Sequence, residues 1–363
     1  MPTQVDGVIL GAGHNSLVLQ AYLARAGLDV VCLERSDTPG GGLATVQWPE
    51  GSGFLHNTHS FFHRGITRMP WYHELELERH GARYLQPDHN VAVISDDGQQ
   101  LLEWRNDFDE TLTSFETIDA QDAETLAIWR SRFQPVVRDF LEPEAQRPPT
   151  PPDDWRRQLH ESDHGRLLLE IAELSPLEFV RREFHTPFIQ AALLFFNGLR
   201  EVDLTCRGFG HHIPGLLASN SKAQLCIGGS ANLAKALVGA VEEAGGRILT
   251  QTTPTRITGK IIETDSGEVF EARKFVASGL NPQQTFLELL DPQLLDADWR
   301  AKAEGFQYNT LAPLFALNVN LSEPPRYSHD YANEALMVVT GAAISAIRVC
   351  ASKTVGTGVL KSS

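Results

Sequence analysis

Residues 11–16 read GAGHNS, between a short apolar run, VDGVIL at 5–10, and an amphipathic stretch from Ser16 to Ala26. An apolar strand that breaks at glycine and opens straight into a helix predicts the first turn of a β-α-β unit. In that turn Gly11 permits the tight reversal, and Gly13 lets the main chain approach a pyrophosphate resting on the positive end of the helix dipole. The third small position is Ser16, which still allows close packing of helix on strand. A second apolar run, LDVVCLE, ends at Glu34, about 20 residues on, the spacing at which a carboxylate accepts hydrogen bonds from the adenosine ribose and repels a 2′-phosphate.

The continuation distinguishes between the dinucleotides. ERSDTPGGGLAT places Gly40 and Gly41 a few residues beyond that carboxylate. A second stretch of bare backbone there can approach an extended diphosphate and the flavin end of FAD, a turn that NAD folds do not ordinarily need. FAD is therefore the expected cofactor, with an NAD-dependent dehydrogenase as the rival reading.

Composition supports an ordinary folded chain of more than one domain. The 363 residues are 42% apolar and 21% charged, neither disordered nor disulfide-stapled in type. A net charge of −15 without a basic stripe argues against nucleic acid as a partner. Cys32, Cys206, Cys226 and Cys350 have no CxxC spacing, so neither a zinc site nor a disulfide framework is indicated, and a cytoplasmic location is expected. No apolar run reaches the roughly 20 residues of a membrane span. The longest, FIQAALLFFNGL at 188–199, reads as a buried core helix, with an apolar tunnel lining or a dip into a membrane face as alternatives.

Along the chain, 73–102 predicts a short helix and then strand pairs, with a turn at 95–98. Residues 107–141 read as helical, EPEAQRPPTPPDD at 142–154 as a stiff loop, and 155–199 as helical again. Ile227-Gly228-Gly229-Ser230 leads into a helix from Ala231 to Ala244 and the strand RILTQ, and two more strands flank the turn at Asp265-Ser266-Gly267. Residues 306–321 read as one or two further strands. The fold class is α/β: a Rossmann-like parallel sheet domain, 1–90 with 215–295, interleaved with an α+β substrate domain, 91–214 with 296–340, and a tail at 341–363. His56, His59 and His63, in HNTHSFFH, read as turn or cleft residues rather than metal ligands. The pair His211-His212 reads as a loop. No catalytic constellation can be assigned from spacing.

The stretches VILGAGHNSLVLQAYLARAGLDVVCLERSDTPGGG, CIGGSANLAKALVGAVEEAGGRI and KFVASGLNPQQTFLELLDPQLL together resemble the phytoene desaturase-like branch of the FAD-dependent amine oxidase superfamily. The resemblance spans about residues 5–65 and 220–320. It implies that Gly11, Gly13, His14, Asn15 and Ser16 surround the pyrophosphate, Glu34 and Arg35 the adenosine, and Gly40, Gly41 and Gly42 the flavin-side backbone. Thr253 to Arg256 would pass the adenine and Ser278 would lie near the cofactor. Gly42 and Ser36 stand where many members of the family carry arginine. The resemblance further implies hydride removal from a C–H of a small apolar, polyene-like substrate, an electron acceptor left open, and peripheral membrane contact if that substrate is a lipid. Residues 341–363 lack the glycine-containing strand-helix turn that closes the family's sheet domain. A truncated chain is thus expected, and a non-catalytic nucleotide-binding fragment with a regulatory role is the alternative to an active enzyme.

Overall fold

The structure, a computed structural model, describes residues 1–198, 203–220, 223–307 and 317–342. These form two compact units, one of residues 1–86, 223–307 and 317–320, the other of 87–198, 203–220 and 321–342. The helix Ala297–Glu304 lies in the first unit, whereas the sequence reading drew the boundary before it.

The first unit is built on a six-stranded sheet in the order Arg247–Leu249, Val30–Leu33, Thr3–Leu10, Val269–Ser278, Ile261–Thr264, Pro254–Thr258. The first four strands are parallel and the last two join antiparallel. Thr3–Leu10 is central, and Val5, Val8, Ile9 and Leu10 are each at most 1% exposed, as expected of a parallel strand covered on both faces. Alternation of side chains divides them. Ile9, Val30 and Cys32 join Leu17 and Ala21 of the helix His14–Arg25 and Ala236 and Leu237 of the helix Ala231–Glu243. Val8, Leu10, Val31 and Leu33 meet Ile257, Ile262 and Phe270 on the other face. Gln20, fully buried on the first helix, donates its amide to the carbonyls of Val30 (3.2 Å) and Arg247 (2.8 Å), which ties that helix to two strands at once. A small sheet of His63–Arg64, Ala223–Cys226 and Tyr84–Leu85 completes this unit.

The second unit sets the antiparallel pair His89–Ser95 and Leu101–Arg105, with Met337–Ala342 added parallel, beside a set of helices. Its core is aromatic: Phe115, Phe133, Phe179 and Phe184 are at most 2% exposed. The helix Pro187–Gly198 buries Phe188, Ile189 and Ala191 to Leu194, which fits the core-helix reading of that apolar run, and among the described residues no helix is long and apolar enough to cross a membrane. Leu199, the remainder of the strands read at 308–316, and the tail from 343 onward lie outside the described residues. Residues 317–320 form no strand.

Two expectations are corrected. The proline-rich 142–154 contains a helical turn, Glu142–Glu144, and the start of the helix Pro152–His160. Glu142–Glu144 continues directly from the helical residues 120–141, and Pro152 occupies a first-turn position, where the missing N–H would have had no helical partner. His211 and His212 form the start of the helix His212–Ala218 rather than a loop.

One buried charge organises the second unit. Asp122, with no exposed surface, accepts the main-chain N–H groups of His185 and Thr186, both at 2.8 Å, and so anchors the entry to the helix Pro187–Gly198. Asp122→Ala leaves two donors without a partner and is expected to cost about 2–3 kcal/mol. A urea midpoint unchanged from the parent chain would contradict this.

Candidate dinucleotide site

Four main-chain segments of the first unit converge at the carboxyl ends of its central strands. Gly11 leaves the first strand with φ +81°, donating its N–H to the Leu33 carbonyl at 2.8 Å. Glu34, 9% exposed, follows Leu33 and turns its carboxylate back on the turn: Oε2 accepts the Ala12 N–H at 2.8 Å and Oε1 the Ser36 N–H at 2.9 Å. The Gly40 N–H donates to the Ala12 carbonyl at 2.8 Å, and Gly13 and Gly40 form an isolated parallel bridge. The two glycine loops, separate in sequence, are thus one surface. On the far side of Glu34, the Thr252 N–H donates to the Glu34 carbonyl and the Gln251 N–H to that of Ser36.

Gly40 shows why this second loop needs glycine. Its φ is +130°, and a Cβ would sit 2.7 Å from the Ala234 Cβ and 3.2 Å from the Leu43 carbonyl oxygen. Gly13 is the opposite case, since it caps the helix His14–Arg25 with φ −70° and a Cβ there would meet nothing within 4 Å. Open space above an uncapped helix N-terminus is where an anion can approach main-chain N–H groups.

The remaining sequence-predicted residues divide between the two loops and their supports. His14, Asn15, Arg35, Gly41 and Gly42 are exposed around this surface, while Ser16 is buried beneath it. Ser278 ends its strand opposite Leu10, with its hydroxyl 2.7 Å from that of Thr285. Arg256 is engaged by Asp291 at 2.6 Å, and the Thr253 N–H by Asp265.

The histidines of HNTHSFFH have separate surroundings. His56 reaches the Trp48 carbonyl and His59 the Thr58 hydroxyl, whereas His63 is buried with Nδ1 2.8 Å from the Tyr84 hydroxyl. Among the described residues no three His, Cys, Asp or Glu side chains gather into a metal-binding group. Cys32, Cys206 and Cys226 are free. Burial, and then the Glu34 charge, pushes the Cys32 thiol up to about 12, so it packs as a small apolar side chain rather than acting as a nucleophile.

Two groups escaped the sequence reading. Asn57 Oδ1 accepts from the Thr45 hydroxyl (2.7 Å) and from the Ser230 N–H (3.0 Å), holding the start of the helix Ala231–Glu243 against the hairpin of Thr45–Gln47 and Leu55–Asn57. The other is the His63–Tyr84 pair. Neither has a local motif, because each joins segments distant in the chain.

Residues 9–72 match the model of an NAD(P)-binding Rossmann-like domain. An engineered putrescine oxidase superposes with a TM-score of 0.55 at 15% identity, over 84% of this chain and 64% of that one, and a Pyrococcus furiosus protein superposes with a TM-score of 0.55 at 19% identity, over 84% and 66%. The fold is thus shared with these solved structures and contains a Rossmann-like nucleotide-binding domain. Among relatives in sequence, a subunit of the limonene dehydrogenase of Castellaniella defragrans is 26% identical over 347 residues. Pyridine nucleotide-disulfide oxidoreductase domain-containing protein 2 of Rattus norvegicus is 23% identical over 368. Both alignments take in 89% of this chain and 61% of the relative, so the chain spans about three fifths of the length of these curated relatives.

Two consequences can be measured. Gly13→Ala should shift stability by less than about 1 kcal/mol, whereas Gly40→Ala should lower stability by about 2 kcal/mol or more. Thermal midpoints with the opposite ranking would contradict the two assignments. Burial also holds the His63 imidazole below its ordinary 6.5, and the charge of His14 adds to the effect. The unfolded chain therefore takes up that proton first, and stability is lost as pH falls through about 6.5. Urea midpoints should drop between about pH 7.5 and 5.5, and drop less in His63→Gln; an equal drop in both chains would rule out His63 as the source.

Proposed function

We propose that this chain is an FAD-dependent oxidoreductase unit that removes hydride from a C–H of an apolar substrate. The observation that carries the reading is the joining of two glycine loops by Glu34 and the Gly40–Ala12 bond. A single loop suffices for one nucleotide half, whereas the second extends the bare main chain toward a longer ligand. The residues present fit the cofactor. Gly13 leaves room for a diphosphate. Glu34 uses one lone pair of each oxygen on the protein's own N–H groups and keeps the others for ribose hydroxyls. Gly41 and Gly42, exposed past the bridge, offer main chain on the flavin side.

Bound FAD would supply the hydride acceptor, which is why no catalytic triad is required of the side chains. The chain's own tasks are then to bind, to orient and to keep charge of the right sign near the ribose. An ionised Glu34 accepts hydrogen bonds only, so it favours a ribose with free hydroxyls and disfavours a 2′-phosphate. An apolar substrate is favoured by the similarity to the limonene dehydrogenase chain, and the electron acceptor is left open. Peripheral membrane contact belongs to this proposal only if the substrate is a lipid.

The purified chain should show a flavin absorption band or take up added FAD, and Glu34→Gln should weaken that uptake roughly tenfold, the scale for a hydrogen bond to a charged acceptor. Binding of NADH with no uptake of FAD would transfer the site to a nicotinamide dehydrogenase. Uptake of neither would overturn the proposal.

A further inference from the structure

We propose that the second unit carries a proton switch in which His89 and Arg105 compete for one oxygen of Glu103, so that a proton on His89 draws the carboxylate away from Arg105. The three residues lie on one face of the antiparallel pair His89–Ser95 and Leu101–Arg105. Leu102 and Trp104 pack in the aromatic core, so Leu101, Glu103 and Arg105 point to the opposite face. His89 stands directly across the ladder from Arg105.

Glu103 Oε1 accepts from Arg105 Nη2 at 2.7 Å and lies 3.5 Å from His89 Nε2. His89 is 3% exposed, and that nitrogen makes no hydrogen bond. Residues 327–338 cover the ring: Ala332, with Tyr327, Ala335 and Val338, packs on Ala92 and Ile94, and the Leu336 N–H donates to the His89 carbonyl at 3.0 Å. The charged groups acting on the ring are Arg105 and Glu103 of the neighbouring strand and Glu334 of the covering segment. On its other side Arg105 Nη1 approaches Glu110 of the helix Phe108–Glu116 at 3.8 Å. The main-chain N–H groups of Glu103 and Arg105 are held by the hydroxyls of Ser114 and Thr111. A groove of about 540 Å³ opens here, with Glu103, Arg105 and Glu110 in its wall.

Burial, and next the charge of Arg105, hold the His89 ring below its ordinary 6.5. Near neutral pH the ring is therefore uncharged, and Glu103 stays with Arg105. A buried imidazolium without an acceptor is far more costly than a neutral ring, and Glu103 Oε1 is the acceptor within reach. In acid, one proton taken from solvent allows Nε2 to donate to that oxygen. The carboxylate changes partner without changing its own charge, and Arg105 is left with the longer contact to Glu110. Because the main chain of both residues is pinned to the helix, the exchange is confined to side chains. Its consequence is a guanidinium in the groove wall that Glu103 no longer neutralises.

The full 363-residue chain, labelled with ¹⁵N, is titrated from about pH 8 to 5, the window in which histidine rings change charge. The ring signals of His89 and the guanidinium signals of Arg105 are followed together. Rotation of the Arg105 Nη groups should be slow near neutral pH and become fast in acid, with the same midpoint as the His89 ring. Arg105→Gln should raise that midpoint by about one unit. In a Glu103→Gln background the same substitution should raise it no more than about half as far, because the contested oxygen is gone. Arg105 signals that do not follow the His89 ring, or an Arg105→Gln effect equal in both backgrounds, would leave only through-space repulsion and overturn the switch. A ring that stays neutral across the whole window overturns it as well. Should Glu103→Gln fail to fold, the joint titration of His89 and Arg105 in the parent chain decides alone.

Discussion

The proposed site depends on a carboxylate whose acceptor capacity would be divided between protein and ligand. Glu34 stands at the end of a fully buried strand, and its two oxygens take N–H groups on either side of the crevice, from Ala12 and Ser36. Without them the Ala12 N–H would face inward with no acceptor, at the point where the chain must turn sharply to start a helix. In the proposed function the same carboxylate that fixes the turn would receive a ribose. Structural and binding roles would then coincide in one side chain, so that its loss would loosen the turn as well as the ligand.

From that point the architecture follows by packing. The Gly40 bond to Ala12 lays the second glycine loop on the first. Ala234 presses on Gly40 from below, which links the loop to the helix Ala231–Glu243, and Asn57 holds the start of that helix. Alternate side chains of the central strands fill two separate cores, so the crevice rests on rigid elements on both faces of the sheet. Main chain exposed on a rigid support binds a dinucleotide with little ordering cost, which is the general advantage of a preformed site.

The sequence was most legible where the physical requirement is local. The glycine turn, the strand before it, the helix after it and Glu34 lie in one contiguous stretch whose spacing reports geometry directly. The helix Ala231–Glu243 and the turns at 95–98 and 265–267 were legible for the same reason. Contacts made across the fold were not. Asn57 meets Ser230 across 173 residues, and Tyr84 meets His63 through a third strand at 223–226; no periodicity announces either. Proline misled at 142–154 because its effect depends on position: it interrupts a helix interior but suits the first turn, and the spacing alone did not reveal where each helix began.

The most direct test uses the ligand half common to FAD and NAD. Amide hydrogen exchange of the chain, with and without saturating ADP, should show protection concentrated at residues 11–17 and 34–41. Protection elsewhere, or an unchanged exchange pattern at saturation, would contradict a nucleotide site built on Glu34 and the two glycine loops.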